Sequence, residues 1–314
     1  MSTLDARATF AVLIALAAAG PGCGGAGDAP VDAPTSADAA CAGAPVRDVA
    51  YQALPGVAAG LQALDIYPPC LGGAPAPVVI WVHGGAWAIG DKANSMADKV
   101  ALWNGAGYLV VSVNYRLSPD TAELDPARVR YPIHAQDVAA AIAWVEEHVA
   151  DHGGDPTRIA LVGHSAGAHL VALIATDPQF LAAHQRGLSS LRCVGSLDTE
   201  AYDIPRTMQT AAPMQSVILR NAFGDDPAVW AAASPVTHVR AGAGIPPFLL
   251  VRRGDADRQA TEQAFHDRLR AAGVASTLVD ASSLTHEEVN ASIGAAGDQV
   301  MTAPLAAFLA GCLR

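Results

Sequence analysis

Residues 158–175 read RIALVGHSAGAHLVALIA. The first part, RIALVGH (158–164), is a short apolar run ahead of a glycine-containing turn, as expected of a parallel strand covered on both faces. The last part, AHLVALIA (168–175), is a helical run. Between them Gly163-His164-Ser165-Ala166-Gly167 forms G-x-S-x-G, a pattern that carries meaning in this strand-turn-helix setting. So sharp a turn pushes the Ser165 hydroxyl out above the sheet edge, and small residues at 163 and 167 keep neighbouring backbone from clashing. The helix that follows directs free N–H groups and the positive end of its dipole at an anion. Ser165 is therefore the candidate nucleophile.

Outward from this point the alternation continues. Apolar or alternating runs at 46–54, 61–69, 76–85 and 107–117 precede it, and runs at 191–198, 246–254 and 275–282 follow, each bounded by Gly or Pro and read as strands. Helical periods occupy Ile133–His148, Gln259–Ala272 (closed by Gly273) and Ala303–Leu313. Early strands followed by strand-helix alternation predict an α/β fold: a doubly wound, mostly parallel sheet with an antiparallel start and helices on both faces. Residues 199–244 contain no clear strand and are expected to fold over the carboxyl edge of the sheet, where α/β folds bind ligands. Residues 46–314 are thus read as one catalytic domain.

Acyl transfer at Ser165 needs donors for an oxyanion, and His83-Gly84-Gly85-Ala86-Trp87 supplies a candidate turn directly after the strand VVIWV. Paired glycines let backbone N–H groups approach a ligand closely. Gly85, Ala86 and Ala166 are the expected donors, with His83 as scaffold. A base and an orienting carboxylate should follow in the order Ser, acid, His. His286, in a loop (Leu284-Thr285-His286-Glu287) after the last strand, is the expected base. For the acid, the strand ending at Gly254 leads into Asp255-Ala256-Asp257; Asp257 is preferred and Asp255 read as a turn residue. The remaining histidines, His164 and His169 included, are read as packed or surface groups.

Other chemistries find no support. The chain of 314 residues is 51% hydrophobic and 16% charged, which excludes a disordered chain, and its formal charge of −11 without a Lys/Arg cluster argues against nucleic acid. No HExxH, paired CxxC or GxxxxGK occurs, so neither a metal nor a nucleotide cofactor is expected. The apolar run ATFAVLIALAAA (8–19) has the length of a secretory h-region rather than a membrane span. Residues 1–22 are read as an export signal and 23–45 as an Ala/Gly/Pro/Asp-rich tether. Ala17 and Ala19 offer an A-x-A cleavage site for free secretion, while Gly22-Cys23 resembles the acylation site of bacterial lipoproteins, in which case a lipid on Cys23 is the one expected membrane attachment. Acylation of Cys23 would leave Cys41, Cys70, Cys193 and Cys312 for two disulfides in an oxidising envelope, with three connectivities open and buried thiols at Cys193 and Cys312 as the alternative.

HGGAW with GDK (90–92), VNYRLSP (113–119), GHSAG, SLDTEAYDI (196–204), ASPVTHV (233–239) and the late Asp and His together resemble the α/β-hydrolase serine esterases over about residues 46–314. The similarity is to the branch holding carboxylesterases, carbohydrate-esterase-like enzymes and kynurenine formamidases, near the hormone-sensitive-lipase group. The resemblance implies an eight-stranded sheet and cofactor-free hydrolysis of a small-molecule or carbohydrate ester. Two positions depart from it: Ala86 stands where the lipase-like group usually has Gly, and Arg253-Gly254 where this branch commonly has His-Gly. Amide cleavage on the same groups, and a surface-anchored binding module that has lost catalysis, are the rival readings.

Overall fold

The computed structural model describes residues 44–69, 74–119 and 128–314. The export segment, Cys23, Cys41, Cys70 and the tether as far as residue 43 lie outside the described residues. Among those described, no helix is long and apolar enough to cross a membrane.

The consecutive apolar residues of the central strands divide between two cores because side chains alternate across a sheet. In β3 (Ala76–Val82), Val78, Ile80 and Val82 enter one core while Val79 and Trp81 enter the other. β5 (Gly154–His164) splits the same way, Ile159 and Leu161 against Ala160 and Val162. The helices Ile133–His148, Ala166–Thr176 and Ala256–Ala271 supply residues to the first core; Ala97–Gly105, His286–Ala291 and Thr302–Cys312 cover the other face. Each buried Leu, Ile or Val contributes about 1.5–3 kcal/mol, so burial on both faces explains the apolar composition.

With β1 (Val46–Ala50), β2 (Ala63–Tyr67), β4 (Leu109–Val113), β6 (Cys193–Leu197), β7 (Phe248–Arg252) and β8 (Ser276–Asp280), the strands form one eight-stranded sheet in the order β1-β2-β4-β3-β5-β6-β7-β8. β2 runs antiparallel to both β1 and β4, and the other pairings are parallel. The expected antiparallel start and doubly wound remainder are both present. β5 lies at the centre with β6 and then β7 on one side, so the carboxyl ends of these three strands share one edge. Residues 199–244 contain four helices, Ile204–Thr210, Pro213–Phe223, Pro227–Ala232 and Pro235–His238, each with Pro in its first turn, where a missing N–H is harmless.

A disulfide joins Cys193, the first residue of β6, to Cys312 at the end of the last helix, across 119 residues of sequence. Closing so long a loop restricts the unfolded chain, and Cys312→Ala is expected to cost about 3–5 kcal/mol. The check is urea unfolding measured without reductant, with stability taken from midpoint and slope together, because freeing the cross-link expands the unfolded chain and steepens the transition.

Candidate active site

The turn after β5 is built under constraint. Ser165 adopts φ 56°, ψ −120°, a region that non-glycine residues occupy only when their surroundings enforce it. A Cβ on Gly167 would sit 2.1 Å from the Val82 carbonyl oxygen, so the start of the elbow helix is wedged against the end of β3. A Cβ on Gly84 would lie 2.9 Å from the Ser165 Cβ, which places the HGGAW turn directly against the serine. Ala166 is the first residue of its helix, where the N–H has no intrahelical acceptor.

The HGGAW turn is itself held firmly. Ala86 and Trp87 have φ 52° and 58°. Tyr115 stacks on the His83 ring at 4.5 Å and its hydroxyl donates to the His83 carbonyl at 3.1 Å. Nδ1–H of His83 donates to the Gly84 carbonyl at 2.7 Å, giving His83 the scaffold place expected for it. Trp87 Nε1–H donates to His169 Nδ1 at 3.3 Å, and His169 Nε2–H donates to the Ala233 carbonyl at 2.8 Å. Burial pushes His169 down to about 4, so it is neutral and serves as one acceptor and one donor. Phe223 packs edge-on against Trp87, so the 199–244 segment does reach the carboxyl edge of the sheet.

His286 lies not in a loop but at the first position of the short helix His286–Ala291. Thr285 and Glu288 form a capping box: Thr285 N–H donates to Glu288 Oε2 at 2.7 Å, and Glu288 N–H donates to the Thr285 hydroxyl at 3.3 Å. This orients the imidazole so that Nε2 is 2.8 Å from Ser165 Oγ. His164 packs beneath it, ring centroids 4.5 Å apart, and donates from Nε2 to the His286 carbonyl at 3.0 Å. Burial, and then the neighbouring His286, push His164 down to about 3, so no second positive charge opposes an imidazolium at His286.

The acid position is the correction. Asp257 is exposed in the first turn of Ala256–Ala271, and Asp255 is the N-cap of that helix, accepting from Arg258 N–H at 2.9 Å. The helix begins after only three residues beyond β7, and its first turn carries Asp257 outward to solvent. The carboxylate that reaches His286 is Asp198, one residue past β6, with Oδ2 at 2.6 Å from Nδ1. Ser165 N–H donates to the Leu197 carbonyl at 3.0 Å, so the β5–β6 ladder runs on into the elbow and delivers the next residue, Asp198, beside it. Asp198 is fully buried with φ 64°. Burial alone would raise its pKa, but the His286 hydrogen bond and the Arg258 and Arg253 guanidinium groups hold it below the usual carboxylate range. Asp257→Asn is expected to change kcat by less than ~2-fold, as for a surface substitution clear of the site; steady-state kinetics on an aryl ester would show it.

Asp198 had a sequence signal: it ends the run LRCVGSLD (191–198), at the carboxyl end of the strand next to the elbow. Ligand-type atoms of His164, Asp198 and His286 lie within 4.8 Å of one another. All three side chains are already committed to the hydrogen bonds above, an arrangement suited to moving a proton.

The BD-FAE family profile matches residues 64–266. The chain is 36% identical over 225 residues to Esterase LipQ of Mycobacterium tuberculosis, covering 68% of this chain and 50% of that protein. It is 33% identical over 205 residues to the probable carboxylic ester hydrolase LipM of the same organism, covering 62% and 45%. It thus spans about half the length of the curated relatives it matches. Esterase B from Lactobacillus rhamnosis superposes with TM-score 0.62 at 25% identity, over 77% of this chain and 76% of that one. A truncated carbohydrate esterase from gut microbiota superposes with TM-score 0.70 at 20% identity, over 87% and 97%, a likeness of fold.

Proposed function

Because the chain belongs to the BD-FAE family of α/β-hydrolases, we propose that it is a serine esterase that cleaves carboxylic esters through an acyl-enzyme. Ser165 Oγ attacks the ester carbonyl while His286 Nε2 takes its proton. The N–H groups of Gly85, Ala86 and Ala166 hold the tetrahedral oxyanion. The protonated His286 gives its proton to the leaving alcohol, and water, activated by the same imidazole, releases the acid. Asp198 fixes the tautomer that leaves Nε2 free to accept.

The observation that carries this reading is the unbroken relay from Ser165 Oγ to His286 Nε2 at 2.8 Å and from His286 Nδ1 to Asp198 Oδ2 at 2.6 Å. Short-chain or carbohydrate-linked acyl esters are the substrate class within it. The test is a fluorophosphonate probe followed by a panel of aryl esters of rising acyl length, acetylated sugars, feruloyl esters and formyl amides. One probe per chain with turnover of esters is expected; folded protein that takes no probe would favour a binding role, and preferential turnover of formyl amides would favour an amidase.

Export follows from residues 1–22, with the protein either anchored by a lipid on Cys23 or freely secreted; the run 8–19 and Gly22-Cys23 support this. The intact mass of the mature N-terminus distinguishes an acylated Cys23 from an end at Gly20.

A further inference from the structure

Two arginines converge on Asp198 from the edge where an acid was expected. Arg253, just past β7, donates from Nε to Asp198 Oδ2, the oxygen that also accepts from His286 Nδ1. Arg258, in the first turn of Ala256–Ala271, donates to Oδ1 from Nε at 2.9 Å and from Nη2 at 2.5 Å. Its Nη1 binds Glu200. Behind them the buried Glu262 accepts from Arg253 N–H at 2.9 Å through Oε2, and its Oε1 is 3.3 Å from Arg258 Nε. The arginine side chains are 13% and 15% exposed, and those of Asp198 and Glu262 are fully buried. Each Asp198 oxygen therefore meets a guanidinium in a nearly dry setting, and the carboxylate cannot rotate without breaking bonds at both ends.

The charges explain the purpose. Burial pushes the Glu262 carboxyl well above the usual range against the pull of Arg258. Asp198 and Glu200 then balance Arg253 and Arg258. The arginines add no net charge that would favour an imidazolium; what they add is direction, since a planar fork fixes a carboxylate as a point charge does not.

We propose that Arg258, assisted by Arg253, is the positioning residue of this active site: it acts through Asp198, and makes the end of β6 a workable place for the acid. The proposal rests on Asp198 serving as the acid in the esterase mechanism. A rival is a plain structural tie between the Ala256–Ala271 helix and the sheet edge. The two differ in a double-mutant cycle, because a residue that works through Asp198 has nothing to act on once Asp198 is removed.

Arg258→Met, Arg258→Lys, Asp198→Asn and the Arg258→Met/Asp198→Asn pair would be compared by kcat and KM on a short-chain aryl ester and by the rate of fluorophosphonate labelling. Arg258→Met is expected to lower kcat and the labelling rate about 10- to 100-fold, the scale of a misplaced catalytic group, with KM little changed. Arg258→Lys should recover part of the loss, and in the Asp198→Asn background Arg258→Met should change kcat by less than about 2-fold. Wild-type kcat in Arg258→Met, or the same fall in both backgrounds, overturns the proposal. If Arg258→Met does not fold, Arg258→Lys decides: a fall of about 10-fold at unchanged KM supports the proposal, and wild-type kcat overturns it. Wild-type kcat in Asp198→Asn would instead overturn the assignment of the acid on which the proposal stands.

Discussion

Ser165→Ala is expected to lower kcat on a short-chain aryl ester by about 10⁶-fold and to abolish fluorophosphonate labelling. That factor is the scale on which serine hydrolases lose turnover when the nucleophile goes, and corresponds to roughly 8 kcal/mol of barrier. It is so large because the serine, the imidazole and the carboxylate work as one unit: with no hydroxyl to activate, His286 and Asp198 contribute nothing. What survives is substrate binding and the oxyanion donors, which remain because they are backbone groups of the HGGAW turn and the elbow helix. The substitution should leave the fold alone. The strain at Ser165, φ 56°, belongs to the backbone and is as costly for Ala as for Ser. Circular dichroism and an unchanged urea midpoint would confirm this, and a folded Ser165→Ala protein that still turns over ester at more than a hundredth of the wild-type rate would overturn the mechanism.

The parts of this site that were legible in the sequence are those set by local backbone chemistry. The elbow is contiguous, so GHSAG between a strand and a helix specifies its own geometry. The same holds for HGGAW after β3. The position of His286 after the last strand was legible too, but not its helix: the capping box of Thr285 and Glu288 makes a helix start where a loop was expected. The sheet was legible because apolar runs such as VVIWV and IALV can be satisfied only by burial on both faces. The acid was not legible in the same way. Two neighbouring parallel strands, β6 and β7, both end near carboxylates, and nothing local says which one faces His286. The choice is made by three-dimensional features: the early start of the helix after β7, which carries Asp257 outward, the left-handed φ of Asp198, and the two arginines that turn inward. The Arg253-Gly254 departure was visible in the chain, but its sense emerges only with Asp198 in place, since a guanidinium there is the partner of a carboxylate arriving from β6.

Asp198→Asn is expected to lower kcat by about 10⁴-fold, the scale found where an acid orients a catalytic imidazole. The surroundings make the loss hard to escape. All the side-chain groups that meet the Asp198 oxygens are donors: His286 Nδ1 and Arg253 Nε at one, Arg258 Nε and Nη2 at the other. An asparagine offers one oxygen and one NH₂, so in either orientation its NH₂ opposes donors. If it faces His286, the imidazole must accept at Nδ1 and carry its proton on Nε2, where it can no longer take one from Ser165. If it faces Arg258, a guanidinium loses its partner in a nearly buried setting, and breaking such a pair costs about 3–5 kcal/mol. Asp198→Asn should therefore be both nearly inactive and less stable, unlike Ser165→Ala, which should be inactive and fully stable. The stability difference has a definite pH dependence. The folded-state pKa of Asp198 lies below its unfolded value, so its contribution is complete above about pH 4 and lost as pH falls through the folded value. Urea midpoints of wild type and Asp198→Asn should accordingly keep their full gap from neutrality down to about pH 4 and begin to converge only below it, as pH falls toward the folded value. A gap that stays unchanged below about pH 4 as well would mean that the Asp198 charge contributes no stability through this network.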